Sequence, residues 1–307
     1  MVFTKDFFII LNFSFLLSFL GVLLSVAFFT LVERKFMGLM HYRKGPNKVL
    51  LYGILQPISD SMKLFTKDSL KIQSLKIFIF FMGPLLGFFI MLSMWSIYYY
   101  YYNYFFLKLK IFIVFVLMSL SVYSFIFTSW GSNSKYSLLG GYRIISQVIS
   151  YEICFIFFFM SFFFFLKSFD FFFLVKLQDF LPLVFFNLIF FFSWMLMIMA
   201  ESNRTPFDLA EGESEIVSGF NIEYSGGFFA LIFITEYGLI MFMSFLTGLF
   251  FFGSDFMFLK IFLFCFLFIW IRCSFPRIRY DLLMYTNWKI CLPFSIMFLC
   301  FVFSLKL

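Results

Sequence analysis

Between Ala200 and Phe220 the chain reads AESNRTPFDLAEGESEIVSGF, a stretch that holds Glu201, Asp208, Glu211, Glu213 and Glu215 with Arg204 as its only base. Apolar sequence flanks it, from Leu181 to Met199 before and from Phe228 onward after. Carboxylates at this density beside a bilayer can exchange protons or hold cations, and such loops are where membrane proteins concentrate function. Thr205-Pro206-Phe207-Asp208 has the form of a helix start, with Thr205 as N-cap, Pro206 as first helical residue and Asp208 as the capping-box acid. Asp208 is therefore either a cap or a functional group. Capping does not account for Glu211 and Glu215, which stand four apart on one helical face with Glu213 between them, a spacing at which like charges destabilise a helix. These acids are either fully solvated or share protons.

Three further acids lie within or against apolar runs. Glu152 is about sixteen residues into the fourth run, behind Gln147 and Tyr151, and Glu201 closes the fifth. Glu236 is about eight residues into the sixth, roughly 12 Å along a helix. A lone acid can serve helix packing as a neutral hydrogen-bonding group. Three of them converging on an acidic loop point instead to a proton relay. Bases gather at the same places: Glu33-Arg34-Lys35 ends the first run, and Arg272, Arg277 and Arg279 surround Pro276 after the seventh. Anchoring at the membrane boundary suffices for Lys35. Arg34 and Arg272 either anchor, pair with the carboxylates or face a polar ligand.

The elements that must position these groups are membrane spans. Of 307 residues, 63% are hydrophobic and 13% charged, against about 25% charged in soluble domains; mean hydropathy is +1.01. The 60 Phe residues exceed what lipid or packing needs and point to the codon bias of an AT-rich genome, such as an organelle's. Runs long enough to cross a bilayer fall at Phe7–Leu31, Leu75–Tyr98, Phe105–Trp130, Tyr136–Leu166, Leu181–Ala200, Phe228–Phe252, Phe256–Cys273 and Leu283–Phe303. The expected fold is all-α, a single integral membrane domain over 1–307 with about eight spans and both termini on one side. Sixteen of the 23 Lys and Arg residues fall in the loops after the odd-numbered spans, which puts those loops on the cytoplasm-equivalent face. The net charge of +7 thus reports topology, with no nucleic-acid partner implied.

Within the first odd loop, about 45–70, Leu51, Leu55, Ile58, Met62 and Phe65 recur at helical steps, which predicts an amphipathic helix bent at Pro57. It lies in the interfacial plane, grips another subunit, or does both. The five Cys include no CxxC, His41 has no companion at ligand spacing, and no nucleotide-binding glycine pattern occurs, so neither a metal site nor a disulfide framework is expected. The first apolar run, about 25 residues, is too long for a cleavable signal and lacks a basic leader.

The runs ERKFMG, RKGPNKV, LQPISDSMKLFTKD, SNSKYSLLGGYR, ISQVISYE, AESNRTPFDLAEGESEIVSGFNIEYSGGFFALIFITEY and IRCSFPRIRYDLLM closely resemble the family of membrane subunit 1 of respiratory complex I, NADH:ubiquinone oxidoreductase. The likeness covers about Glu33 to Lys289, and the loop at about 201–224 is its most specific part; Asp68, where relatives often carry Glu, and Gly141-Tyr142 before Arg143 are small departures. The resemblance implies a subunit of the mitochondrial inner membrane, with its odd loops facing the matrix. It implies partners in the hydrophilic arm and among antiporter-like membrane subunits, besides lipids. Ubiquinone is then the substrate, while FMN and iron–sulfur clusters reside in partner subunits and this chain carries no redox centre. By position, Arg34, Phe233, Arg272, Arg277 and Arg279 match residues of a quinone tunnel. Glu152, Glu201, Asp208, Glu211, Glu213, Glu215 and Glu236 match the start of a charge-transfer axis. A cation or proton transporter is the alternative class, but the inverted repeats and broken helices that favour it are not evident. A plain anchor would leave the carboxylates unexplained, and the organellar composition argues against a membrane-bound hydrogenase subunit.

Overall fold

The computed structural model describes residues 2–68, 75–102, 110–166, 169, 171–178, 182–185, 188–208, 219–221 and 223–304, and every regular element among them is helical. Before the acidic loop come α1 (Val2–Met40), α2 (Gln56–Thr66), α3 (Ile77–Tyr102), α4 (Lys110–Ser132), α5 (Lys135–Leu166), α6 (Phe171–Gln178) and α7 (Leu188–Glu201). After it come α8 (Gly226–Phe252), α9 (Met257–Ser274), α10 (Tyr280–Thr286) and α11 (Leu292–Ser304). A π-turn, Asn287–Cys291, joins α10 to α11 as one rod. Among the described residues, seven helices are long and apolar enough to cross a membrane. The chain is a polytopic membrane protein.

The fifth expected span departs from the others. The helix α7 has only 14 residues, about 21 Å at the helical rise against a hydrocarbon core of about 30 Å. Pro182 lacks an N–H and stands where the chain makes a 3-10 turn, Leu183–Phe185, in which the Phe185 N–H donates to the Pro182 carbonyl at 3.2 Å. Phe190 near the start of α7 meets Phe162 edge-to-face and Phe251 at a tilt, at the far ends of α5 and α8, while the last turn of α7 meets Gln147 in the first half of α5.

Two other expectations are corrected. Pro57 does not bend the amphipathic helix, because it lies in the first turn of α2, where a missing N–H removes no intrahelical bond; Leu51 belongs to a separate 3-10 turn. The first span continues past Leu31 to Met40, so Glu33 and Arg34 sit on the helix itself. Leu51, Leu55, Ile58, Met62 and Phe65 are all exposed, so the described residues leave most of the apolar side of this segment uncovered.

The axis of the bundle is α8, whose run from Ile240 to Phe251 is buried throughout. Lipid is as apolar as Leu, so membrane helices associate through close packing rather than exclusion from water. Two devices supply it. Phe155, Phe158, Phe159, Phe162, Phe163, Phe190, Trp194, Phe250 and Phe251 interlock edge-to-face and stacked between α5, α7 and α8. Small residues bring α3 onto α4: a Cβ at Gly131 would come 2.6 Å from Phe80 Cα, and one at Gly83 would come 2.8 Å from Thr128 N. At the start of α8, Gly226 adopts φ +63°, and a Cβ there would meet the Lys67 carbonyl at 2.7 Å. The end of α2 is thereby seated on α8.

Candidate functional site

The odd loops converge at one end of the bundle, and the acidic loop is tied down on both sides. At its near end Gln147 Nε2 donates to the carbonyls of Ala200 (2.9 Å) and Phe207 (3.1 Å), and the Ile278 N–H donates to Pro206 O at 3.0 Å. At its far end the Tyr224 hydroxyl donates to Phe80 O (3.0 Å) and Thr128 O (3.3 Å), and its ring stacks on Phe80. Burial pushes the Tyr224 phenol pKa up, so it stays a neutral donor. Thr205-Pro206 does not start a helix: the Phe207 N–H turns back onto the Arg204 carbonyl at 2.8 Å. This turn follows α7 directly and points Arg204 inward instead of out to water.

Around Arg204 the structure builds a charged cluster. Glu33, 4% exposed, accepts a 2.5 Å hydrogen bond from the Tyr237 hydroxyl and another from Arg272 in the last turn of α9. Arg204 NH1 lies 4.0 Å from Glu33 Oε1, and its NH2 lies 3.9 Å from Glu236 Oε2. Its guanidinium also covers the Tyr237 ring, 4.3 Å from the centroid. Burying one charge alone is prohibitive, whereas a network of two acids and two bases cancels its own charge and keeps hydrogen bonds to it. Of the roles that its place in the sequence leaves open, Arg272 pairs with a carboxylate, and Glu33 is the partner. Phe233, one turn before Tyr237 on α8, stacks toward it at 6.5 Å.

A second group lies beside this cluster. Glu201 is 8% exposed, and its Oε2 has no hydrogen-bond partner among the described residues. Glu152 is close enough for the two charges to interact. Asn203 Oδ1, Thr205 Oγ1 and Gln147 Oε1 are also buried without partners among the described residues, and these polar atoms gather where α7 enters the loop. Asp208, 6% exposed, pairs with Arg277 at 3.4 Å.

The remaining candidates are at the rim or beyond view. Arg34 pairs with Asp60 of α2 at 2.6 Å, and Gln56 Nε2 holds the other oxygen of Asp60 at 2.9 Å. Arg279 is 76% exposed in a 3.0 Å pair with Asp281 and is not drawn into the cluster. Glu211, Glu213 and Glu215 lie outside the described residues. No group of three or more His, Cys, Asp or Glu among the described residues could hold a metal. Sequence reasoning missed Glu33, Arg204 and Tyr237 as cluster members. Arg204, the single base of an acidic loop, and Glu33, an acid against the end of an apolar run, were the available signals.

The sequence profile of the family described as NADH dehydrogenase matches residues 13–303. The chain belongs to the NADH dehydrogenase family. Relatives named NADH-ubiquinone oxidoreductase chain 1 agree with this over nearly the whole length. The protein of Rhipicephalus sanguineus is 46% identical over 292 residues, covering 94% of this chain and 93% of its own. That of Anopheles gambiae is 44% identical over 296 residues, covering 95% and 94%. That of Paracentrotus lividus is 43% identical over 305 residues, covering 95% and 94%. The whole cluster, from Glu33 to Arg277, falls inside the stretch shared with the NADH dehydrogenase family.

Proposed function

We propose that this chain is the first membrane subunit of a proton-pumping NADH–ubiquinone oxidoreductase of the mitochondrial inner membrane. In this reading the flavin, the iron–sulfur clusters and the redox chemistry belong to partner subunits of the hydrophilic arm. This chain provides the passage for ubiquinone, lined by Arg34, Phe233, Arg272, Arg277 and Arg279, and the first station of the axis toward antiporter-like neighbours. The names of the relatives support the assembly. One observation carries the residue-level reading: buried Glu33 and Arg204 and partly buried Glu236 and Arg272 form a connected charged set near Glu201, whose Oε2 has no hydrogen-bond partner among the described residues.

The chemistry follows from that arrangement. Arg204 stands about 4 Å from two acids on different helices, so a small charge change decides which of them it favours. Quinone reduction consumes protons and changes the charge presented to the Asp208–Arg277 pair, which the short turn at Arg204 joins to the cluster. A coupling of about 1–3 kcal/mol shifts a local two-state arrangement. Glu152 and Glu201 then pass the change onward, with Glu211, Glu213 and Glu215 on the loop as further proton-exchanging groups.

Glu→Gln substitutions preserve shape and hydrogen-bonding capacity but remove the titratable proton. Glu152→Gln and Glu201→Gln are expected to lower turnover and proton pumping in a complex that still assembles. Unchanged rate and pumping stoichiometry in both variants would leave these carboxylates a structural role only.

A further inference from the structure

A second polar feature lies apart from the charged cluster. Ser146, Ser150, Tyr151 and Cys154 share one side of α5 at helical steps, and α10 with its π-turn faces them. The contacts descend in order. The hydroxyls of Ser146 and Tyr280 share a 2.7 Å hydrogen bond, and Ser150 Oγ lies 3.8 Å from the Met284 sulfur. The Tyr151 hydroxyl donates to Leu283 O at 3.3 Å and stands 3.4 Å from Thr286 Oγ1. The Cys154 thiol then donates to Asn287 Oδ1 at 2.9 Å. From Ser146 to Cys154 the seam follows α5 for about 12 Å. It starts at the loop end, where Arg143 lies 5.9 Å from the Tyr280 ring, and it ends among the spans.

The seam ends on an unpaired group. Asn287 is 0% exposed, yet its Nδ2 has no hydrogen-bond partner among the described residues. Turning the amide over would let the nitrogen donate to the Cys154 sulfur but would strand the oxygen, so either orientation leaves one polar atom unmet. Stranding a buried amide group is costly. The backbone departs from α-helix at the same residue, since Asn287–Cys291 is a π-turn, wider than an α-helical turn and a feature that often accompanies functional sites. At the other end of the seam Gln147, also 0% exposed, has an Oε1 with no partner among the described residues, one turn from Tyr151. Buried polar atoms without protein partners are met by ordered water.

We propose that the seam between α5 and α10 is a hydrated branch, closed at its inner end by an ordered water bound to the Asn287 amide. The hydroxyls of Tyr151 and Thr286 and the thiol of Cys154 flank that water. The branch lets water reach the π-turn from the loop end without passing through the Glu33–Arg204–Glu236 cluster. It stands on the geometry of this chain alone, independent of the relay.

A high-resolution electron cryomicroscopy map of the assembled complex tests it. Water density within hydrogen-bonding distance of the Asn287 amide is expected; a seam without ordered water, its amide set against apolar atoms, overturns the proposal. Isotope exchange gives a second readout. In heavy water, the infrared S–H band assigned to Cys154 by its loss in Cys154→Ala should move to S–D. In Asn287→Leu that exchange should slow roughly tenfold. Equal exchange rates in the two proteins would mean that Asn287 holds no water serving Cys154, and the proposal fails. If Asn287→Leu does not assemble, the wild-type map decides alone.

Discussion

Replacing Arg204 by Gln leaves Glu33 and Glu236 without the cation they share, while Arg272 remains on Glu33 alone. Breaking a buried charge network from one side costs about 3–5 kcal/mol. Arg204→Gln is therefore expected to reduce the yield of assembled complex and its melting temperature, whereas Arg204→Lys, which keeps the charge but not the fork, should lose less. Equal stability of Arg204→Gln and wild type would show that the cluster does not hold the loop. Arg34 behaves differently because its pair with Asp60 is half exposed, and such pairs contribute at most about 1 kcal/mol. Arg34→Ala should therefore assemble normally while weakening quinone or inhibitor binding; lost assembly with unchanged quinone kinetics would make Arg34 a membrane anchor. Much of this site was legible in the sequence, since Glu152, Glu201, Asp208 and Glu236 stand out from apolar surroundings. Glu33 and Arg204 were not, because only tertiary structure tells whether a charge at a span's end turns toward water or toward the bundle.

Helix contacts make their own predictions. A Cβ at Gly131 would meet backbone atoms of Phe80 at 2.6 and 2.7 Å, which cannot step aside without parting α3 from α4. Gly131→Ala should thus destabilise by about 1–3 kcal/mol, read as a lower melting temperature. Gly21→Ala is the control, since nothing lies within 4 Å of its Cβ and Ala favours helix; equal losses in both would remove the close-contact explanation. The spans themselves were legible from apolar run length, and α2 from its steps of three and four. Local stops were harder to read. Pro57 fits both a mid-helix bend and a first turn, and Thr205-Pro206 fits both a helix start and the reverse turn that delivers Arg204. Run length also hid the shortness of α7, because residues in a 3-10 turn are as apolar as those in a helix.

At the scale of the molecule, the crossings alternate ends. Arg34–Asp60, Asp208–Arg277 and Tyr224–Phe80 tie odd loops to each other or to helix ends at one end. At the other, Gln178 Nε2 donates to the carbonyls of Leu249 and Phe250, and Lys260 caps the Phe252 and Gly253 carbonyls. The excess of bases at the odd end predicts that it faces the matrix, with both termini on the opposite side. Epitope tags at the two termini should become accessible together once the outer membrane is opened. Accessibility of only one would require a different number of crossings.

The anchors of the acidic loop also set an order of events during synthesis. Phe80 and Thr128, whose carbonyls accept from Tyr224, and Gln147, which donates to the Ala200 and Phe207 carbonyls, are made before the loop emerges. Ile278, whose N–H donates to the Pro206 carbonyl, is made more than seventy residues after Pro206, and Arg272 and Arg277 more than sixty. A nascent chain halted after α8 already has the loop's older moorings and Arg204, but neither Arg272, which donates to Glu33, nor the clasp on Pro206. Closure of the charged cluster is thus a late step of biogenesis, and a factor that recognises the unfinished subunit would find this loop end still open.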